Sequence, residues 1–185
     1  MNFLKAWRAP VVCLAAMTLI TGFVYTGVMT GIGQAAFHTQ ANGSLITVEL
    51  ADGTTRTYGS SLIGQQFTAP QYLIGRPGDV SNLAPDSAAQ AQLVQARVDW
   101  WHRLDPTNQA LIPEDLVTAS GSGSDPYISP AGAEYQVDRI ARVRGISPDA
   151  VRAVIAKYTK HRWLGLFGEP GVNVLLVDLA LDGLT

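Results

Sequence analysis

Pro10-Val11-Val12-Cys13-Leu14-Ala15-Ala16-Met17-Thr18-Leu19-Ile20-Thr21-Gly22-Phe23-Val24-Tyr25-Thr26-Gly27-Val28-Met29-Thr30-Gly31-Ile32-Gly33 is the stretch that decides the architecture. It sits in a wider gap in the charge pattern: no Asp, Glu, Lys or Arg occurs between Arg8 and Glu49. A helix needs about 20 apolar residues to cross roughly 30 Å of hydrocarbon, and residues 10–33 meet that length. The threonines do not disqualify it, because a hydroxyl can bond back to its own helix. Pro10 is expected in the first turn, where a missing N–H costs nothing. Trp7 and Tyr25 suit the two interfaces.

Charge sets the orientation. Lys5 and Arg8 precede the stretch, and the next cation is Arg56. The positive-inside rule then leaves residues 1–9 in the cytoplasm and residues 34–185 outside, in the periplasm of a Gram-negative cell. The competing reading is a cleaved signal peptide ending near Gly33-Gln34-Ala35. A signal core usually runs about 7–15 residues, shorter than this one, so an uncleaved anchor is preferred. Gly27 and Gly31 form a small-xxx-small pair suited to contact with a partner helix in the membrane. The alternative is that glycine is simply common in membrane helices.

The whole chain has 185 residues, enough for one domain plus an anchor. A net charge of −2 supplies no basic field for nucleic acid. Cys13 is the single cysteine, so no internal disulfide can form. His38, His102 and His161 are far apart and lack metal-ligand spacing, so no metal site is expected.

Beyond the anchor, residues 34–44 read as a polar connector. Residues 45–50, the turn Asp52-Gly53 and residues 54–58 read as a hairpin. Residues 75–87 hold Gly75, Pro77, Gly78 and Pro85 and read as a loop. A helix is predicted over 87–103, capped by Asp86 or Ser87 and stopped by Asp105-Pro106. Residues 118–126 carry no regular pattern. Two helices follow, opened by Ser129-Pro130 and Ser147-Pro148. The first ends at Gly145 and the second near Lys160-His161-Arg162. The tail from Val172 to Leu181 is predicted as a strand. The order does not alternate cleanly, so the class is α+β: one transmembrane helix followed by a mixed α/β extracytoplasmic domain.

Several separated stretches resemble a known family, the C subunit of the Kdp potassium-transporting P-type ATPase. They are Gly59-Ser60-Ser61-Leu62-Ile63-Gly64-Gln65 with Phe67, Gly75-Arg76-Pro77, Ser81-Asn82-Leu83 and, most specifically, residues 115–130. That last stretch continues through Ala133, Tyr135-Gln136 and Arg144-Gly145. Gly168-Glu169-Pro170, Val172-Asn173-Val174-Leu175 and Leu179-Ala180-Leu181-Asp182 close the match. The chain departs at Gly78-Asp79-Val80, where the family is richer in Ser and Gly. It departs also at Ser124 and Tyr127, where an apolar residue and a histidine are more usual. The resemblance implies an accessory, non-hydrolysing subunit of an ATP-driven, high-affinity potassium importer. Its implied partners are a P-type ATP-hydrolysing subunit, a potassium-channel-like subunit and a small membrane peptide. It also implies a catalytic-chaperone role that raises the ATP affinity of the hydrolysing subunit, with nucleotide contact at Ser120, Gly121, Ser122, Gly123 and Asp125. No cofactor is expected to be held firmly, ATP being met through the complex.

The residues themselves allow two readings of that loop. Its backbone N–H groups have the spacing to cradle phosphate, yet it lacks the Lys-Ser/Thr ending of a P-loop. The structural reading, a tight turn leading into the Ser129-Pro130 cap, is preferred. Topology supports this, since ATP is cytoplasmic and the charge asymmetry puts the loop outside. No catalytic residue is expected. Ser120, Ser122 and Ser124 lack the glycine two positions before that a nucleophile elbow requires. Glu114-Asp115 are adjacent and point apart, and Glu169 reads as a turn residue. Of Trp100-Trp101, at least one is expected to leave the core side of its helix. Arg76 is expected to anchor a loop carbonyl or pair with a carboxylate of a partner, internal bonding being preferred. The rival class is a free-standing exported binding module or hydrolase, anchored or released.

Overall fold

The computed structural model describes residues 3–78 and 82–184, with side chains from Trp7 onward. Asp79, Val80 and Ser81, part of the departure and motif noted above, lie outside the described residues. The chain divides into two units, Met1–Leu45 and Ile46–Thr185.

In the first unit, α1 (Phe3–Met17), a π-helical stretch (Thr18–Tyr25) and α2 (Thr26–Ala36) follow without a break. Within it, Trp7–Ala36 is 30 residues long, apolar and wholly unburied, long enough to cross a membrane. At 1.5 Å per residue it spans about 45 Å, more than the hydrocarbon alone needs. Thr21 Oγ1 donates to Met17 O at 2.7 Å and Thr26 Oγ1 to Thr21 O at 3.0 Å, folding both hydroxyls onto the helix. Because the helix begins at Phe3, Pro10 lies inside it rather than in its first turn. One carbonyl of the preceding turn therefore loses its helical donor. The connector is also more helical than its composition suggests. After α2, residues His38–Ala41 form α3, and Asn42 Nδ2 donates to Gln34 Oε1 (3.0 Å) and His38 O (2.7 Å). A single amide side chain supplies the partners that a polar segment would otherwise find in water.

The second unit opens on the predicted hairpin, β1 (Leu45–Glu49) and β2 (Thr55–Ser60). Helix α4 (Ala88–Leu104) starts where expected, with the Ser87 hydroxyl accepting from Gln90 N at 3.2 Å. A 3-10 turn (Glu114–Leu116) follows. The helix predicted from Ser129 is two helices, α5 (Pro130–Glu134) and α6 (Val137–Arg144). The break at Tyr135-Gln136 swings Gln136 into the core. Helix α7 (Pro148–Lys157) stops before the cationic cluster, because Thr159–Lys160 are drawn off as strand β4. Strand β5 (Gly171–Asn173) lies between β3 (Tyr127–Ile128) and β4, antiparallel to both. Val172 faces Ile128 on one side and Thr159 on the other.

The tail corrects the sequence reading. Only Gly171–Asn173 is strand, and Val174–Leu181 is helix α8. The Asn173 side chain ends the strand by accepting from Leu176 N at 3.1 Å. Val174, Leu175, Val177, Asp178 and Leu179 are all buried, so α8 shows no polar face and its sequence carries no 3.6-residue period.

The core gathers Leu73, Trp101, Val137, Ile140, Val151, Val172 and Val177. Leu73 and Ile74 are buried yet belong to no strand. Their backbone groups are met by side chains. Leu73 N donates to Asp178 Oδ1 (2.7 Å) and Ile74 N to Gln136 Oε1 (2.8 Å). Gln136 Nε2 returns to Ile74 O at 2.9 Å, copying a strand partner. Arg139 donates to Tyr72 O at 3.1 Å and to Pro70 O, and Arg144 Nε to Gln71 O at 2.7 Å. Helices α6 and α8 thus replace a missing strand.

Candidate functional site

The stretch that leads into the Ser/Gly loop at residues 119–125 is held by side chains from elsewhere. Trp101 Nε1 donates to Leu116 O (3.0 Å) and Arg97 Nη1 to Val117 O (2.9 Å). Arg76 donates to Thr118 O (3.4 Å) and Ala119 O (3.2 Å). Four consecutive carbonyls are therefore gripped by three side chains from two other parts of the chain. Arg76 therefore anchors loop carbonyls, the internal form of its expectation, and its guanidinium also lies 3.9 Å from the Asp125 carboxylate of the same chain. Upstream, Asp115 accepts from Ser129 N (2.6 Å) and Ser129 Oγ (3.1 Å), tying the loop's entry to the α5 cap. Its neighbour Glu114 is exposed, so the two carboxylates do part.

Residues 59–65 close the other side. Gly64 N donates to Ser124 O at 2.7 Å, and a Cβ at Gly64 would stand 2.6 Å from Asp125 O. Only glycine allows this approach. Asn173 Nδ2 donates to Ser61 O (2.9 Å) and Val174 N to Pro126 O (3.1 Å), joining β5 to the assembly. The cavity bounded by Gly64, Gln66, Arg76, Ser120, Gly123 and Val174 is about 10 Å3, room for one water. An open groove of about 310 Å3 lies alongside, lined by Arg76, Asp115, Asp125, Lys160 and Glu169.

Within the loop, the polar groups serve one another. Ser122 Oγ accepts from Ser124 N at 3.2 Å and lies 3.4 Å from the hydroxyls of both Ser120 and Ser124. Gly123 N donates to Ser120 O (3.2 Å), and Asp125 Oδ1 accepts from Tyr127 N (3.0 Å). Ser120 is buried, whereas Gly121 and Ser122 face solvent.

Other expected residues fall elsewhere. Trp101 is buried against Tyr135, ring centroids 5.7 Å apart and near perpendicular. Trp100 is half-buried, packs on the edge of the core beside Trp101 and lines an open groove of about 370 Å3 with Phe67 and Leu93, so neither of the pair turns fully away from the core. Glu169 is exposed and accepts from Arg162. Gly27 and Gly31 lie on α2, and a Cβ at either would meet nothing within 4 Å.

Sequence reasoning missed the polar cluster under the site. The Arg139 guanidinium is pulled down to about 10, chiefly by burial, and stays charged at neutral pH. The Asp178 carboxyl is pushed up to about 8, chiefly by burial against the opposing pull of the Leu73 N–H. Asp178 Oδ2 has no hydrogen-bond partner among the described residues. Its signal was visible: Asp178 is the one charged residue in the run from Val172 to Leu181.

The stretch that holds the loop, 115–130, and three that meet it, 59–65, 75–77 and 172–175, carry the family likeness, whereas Arg97 and Trp101 reach in from α4, outside it. A family model described as "KdpC: K+-transporting ATPase, c chain" matches residues 7–183. The chain is 56% identical to the potassium-transporting ATPase KdpC subunit of Listeria monocytogenes serotype 4a over 99% of this chain and 98% of that one. It is 50% identical to that of Sorangium cellulosum, and 46% identical to that of Methylibium petroleiphilum, each over 95% of this chain and 96% of theirs. A match that runs through anchor, braced loop and tail alike shows that the chain belongs to the KdpC family, the c chain of the K+-transporting ATPase.

Proposed function

We propose that this chain is an accessory, non-hydrolysing subunit that stabilises a potassium-importing P-type ATPase. The observation that carries the reading is the family match over residues 7–183, which includes the membrane-length helix. The helix anchors the chain once, with its N-terminus in the cytoplasm and the second unit outside, in the periplasm of a Gram-negative cell. The support is the cation asymmetry: Lys5 and Arg8 before the uncharged run 10–33, no Lys or Arg after it until Arg56. Gly27 and Gly31 provide a bare strip where a neighbouring subunit's helix docks. The partners are the P-type ATP-hydrolysing subunit, the potassium-channel-like subunit and the small membrane peptide of the complex.

The loop at 119–125 acts as a rigid brace rather than a nucleotide cradle. The support is that Gly123 N and Ser124 N are already bonded within it, and Arg76 is committed to its carbonyls and Asp125. ATP enters this chain's work through the hydrolysing subunit.

A mild-detergent pull-down from potassium-starved cells, with the tag on this chain, tests the reading. Recovery of the hydrolysing and channel-like subunits is expected, and recovery of this chain alone would overturn it. Gly27→Leu with Gly31→Leu is expected to lower that recovery. Direct titration of the isolated full chain with ATP is expected to show no saturable binding. Saturation abolished by Ser122→Ala would restore the nucleotide-contact reading.

A further inference from the structure

Asp178 is 2% exposed, yet only one of its carboxyl oxygens is bonded. Oδ1 accepts from Leu73 N at 2.7 Å, while Oδ2 has no partner among the described residues. A buried carboxylate needs several donors to replace the water it has lost. With a single donor the neutral acid is the favoured form, so the packing around Asp178 suits a carboxyl that keeps its proton. Beside it lies a cavity of about 150 Å3 lined by Tyr58, Tyr72, Leu175 and Asp182, with room for the water that takes the proton up.

The charged and titratable groups around this carboxyl come from four parts of the fold. Helix α6 brings Arg139 and Arg144, whose positive charges favour the ionised form. Asp182, one turn further along α8, opposes it. Tyr72 donates its hydroxyl to Asp182 at 3.2 Å, and Tyr58 on β2, with Arg56 over its ring, lines the cavity. From α7 and β5, which also pack on α8, the buried side chains Val151, Ile155 and Val172 are apolar. Both arginines are already in use. Arg139 donates to Pro70 O, to Tyr72 O at 3.1 Å and to Gln136 Oε1 at 2.7 Å. Arg144 donates to Gln71 O at 2.7 Å, to Leu181 O and to Asp182.

We propose that Asp178 is a pH-operated latch: loss of its proton draws Arg139 and Arg144 off the carbonyls of residues 70–72 and loosens that segment from α6. Ionisation leaves Oδ2 a buried anion without a donor, and these two guanidiniums are the cations placed to answer it. Each carbonyl they leave becomes an unpaired acceptor. Arg139 also steadies Gln136, the side chain that clamps Ile74, so the loosening passes along the chain to Ile74. Two residues further on, Arg76 holds Thr118 O and Ala119 O, which puts the Ser/Gly loop at the end of the same line. Burial pushes the Asp178 carboxyl up to about 8, so the latch is closed below that pH and opens above it. This goes beyond the accessory-subunit reading and does not depend on which partners the chain meets.

The test is amide hydrogen exchange of the full chain in detergent, from about pH 6 to about pH 9, with each rate divided by the intrinsic rate at that pH. Protection at residues 72–74 is expected to fall several-fold with a midpoint near pH 8, while protection in α7 stays level. Asp178→Asn cannot ionise and still accepts from Leu73 N, and is expected to hold protection at 72–74 level across the range. Asp182→Asn leaves the latch in place and removes the neighbouring negative charge, so the midpoint is expected to move to lower pH. Level protection in the parent, a fall that survives Asp178→Asn, or a midpoint that stays put in Asp182→Asn would each overturn the inference.

Discussion

Residues 70–76 and residues 162–169 both look like loops, and the molecule treats them in opposite ways. The first enters the core at Leu73 and Ile74. Its backbone groups are met by Arg139, Gln136, Arg144 and Asp178, side chains that arrive from α6 and α8. The second stands clear of the core, its backbone bonded to itself and its apolar side chains facing out. Irregular backbone is therefore no guide to where the energy lies. A segment without secondary structure becomes core when polar side chains satisfy it, and stays at the surface when it satisfies itself.

The comparison breaks hardest at Gln136. Gln136→Leu would leave Ile74 N–H and C=O unpaired in the core and remove an acceptor from Arg139. A loss of about 3 kcal/mol or more is expected, read as a lower urea midpoint of the full chain. A midpoint within error of the parent would mean that water reaches Ile74.

Asp178 sharpens the same side through pH. Its carboxyl rises from an ordinary 3.8 to about 8 in the fold, so the native state holds a proton the unfolded chain releases. Stability from this group is full below about pH 4 and is lost as pH rises towards 8. Asp178→Asn keeps an acceptor for Leu73 N and cannot ionise. It is expected to flatten the melting temperature between pH 5 and pH 8, with the variant the more stable at the upper end. An unchanged slope would assign the dependence elsewhere.

Arg76 lies between the two extremes, partly exposed and bonded to two loop carbonyls and near Asp125. Arg76→Ala is expected to cost about 1 kcal/mol and to speed amide hydrogen exchange across 119–125 ahead of the core. Uniform exchange change through the domain would contradict a local brace. The smallest effect belongs to residues 162–169. Glu169→Ala removes a solvent-exposed ion pair and should shift stability by less than about 0.5 kcal/mol. A larger loss would mean this segment belongs to the folding unit rather than standing off it.

What the sequence conveyed follows the range of the forces involved. The membrane-length helix, the hairpin, and the starts of α4, α5 and α7 at Ser87, Ser129 and Ser147 are local matters. They are set by apolar run length, turn chemistry and side-chain caps within three residues. The family likeness was legible too, because it lies in residue identity and order. Tertiary structure decided the rest. The tail became helix α8 because Asn173 caps it and the core surrounds it, and an all-apolar run has no period to announce either state. Gln136, Arg139 and Asp178 read as surface polars on a sequence, yet are buried because the segment 70–76 arrives beside them from more than 60 positions away. The loop at 119–125 carried its composition openly and its restraint invisibly. Arg76 reaches it, and Arg97 and Trp101 reach the residues just before it, only once the chain has folded, and long-range hydrogen bonds leave no periodic mark on a sequence.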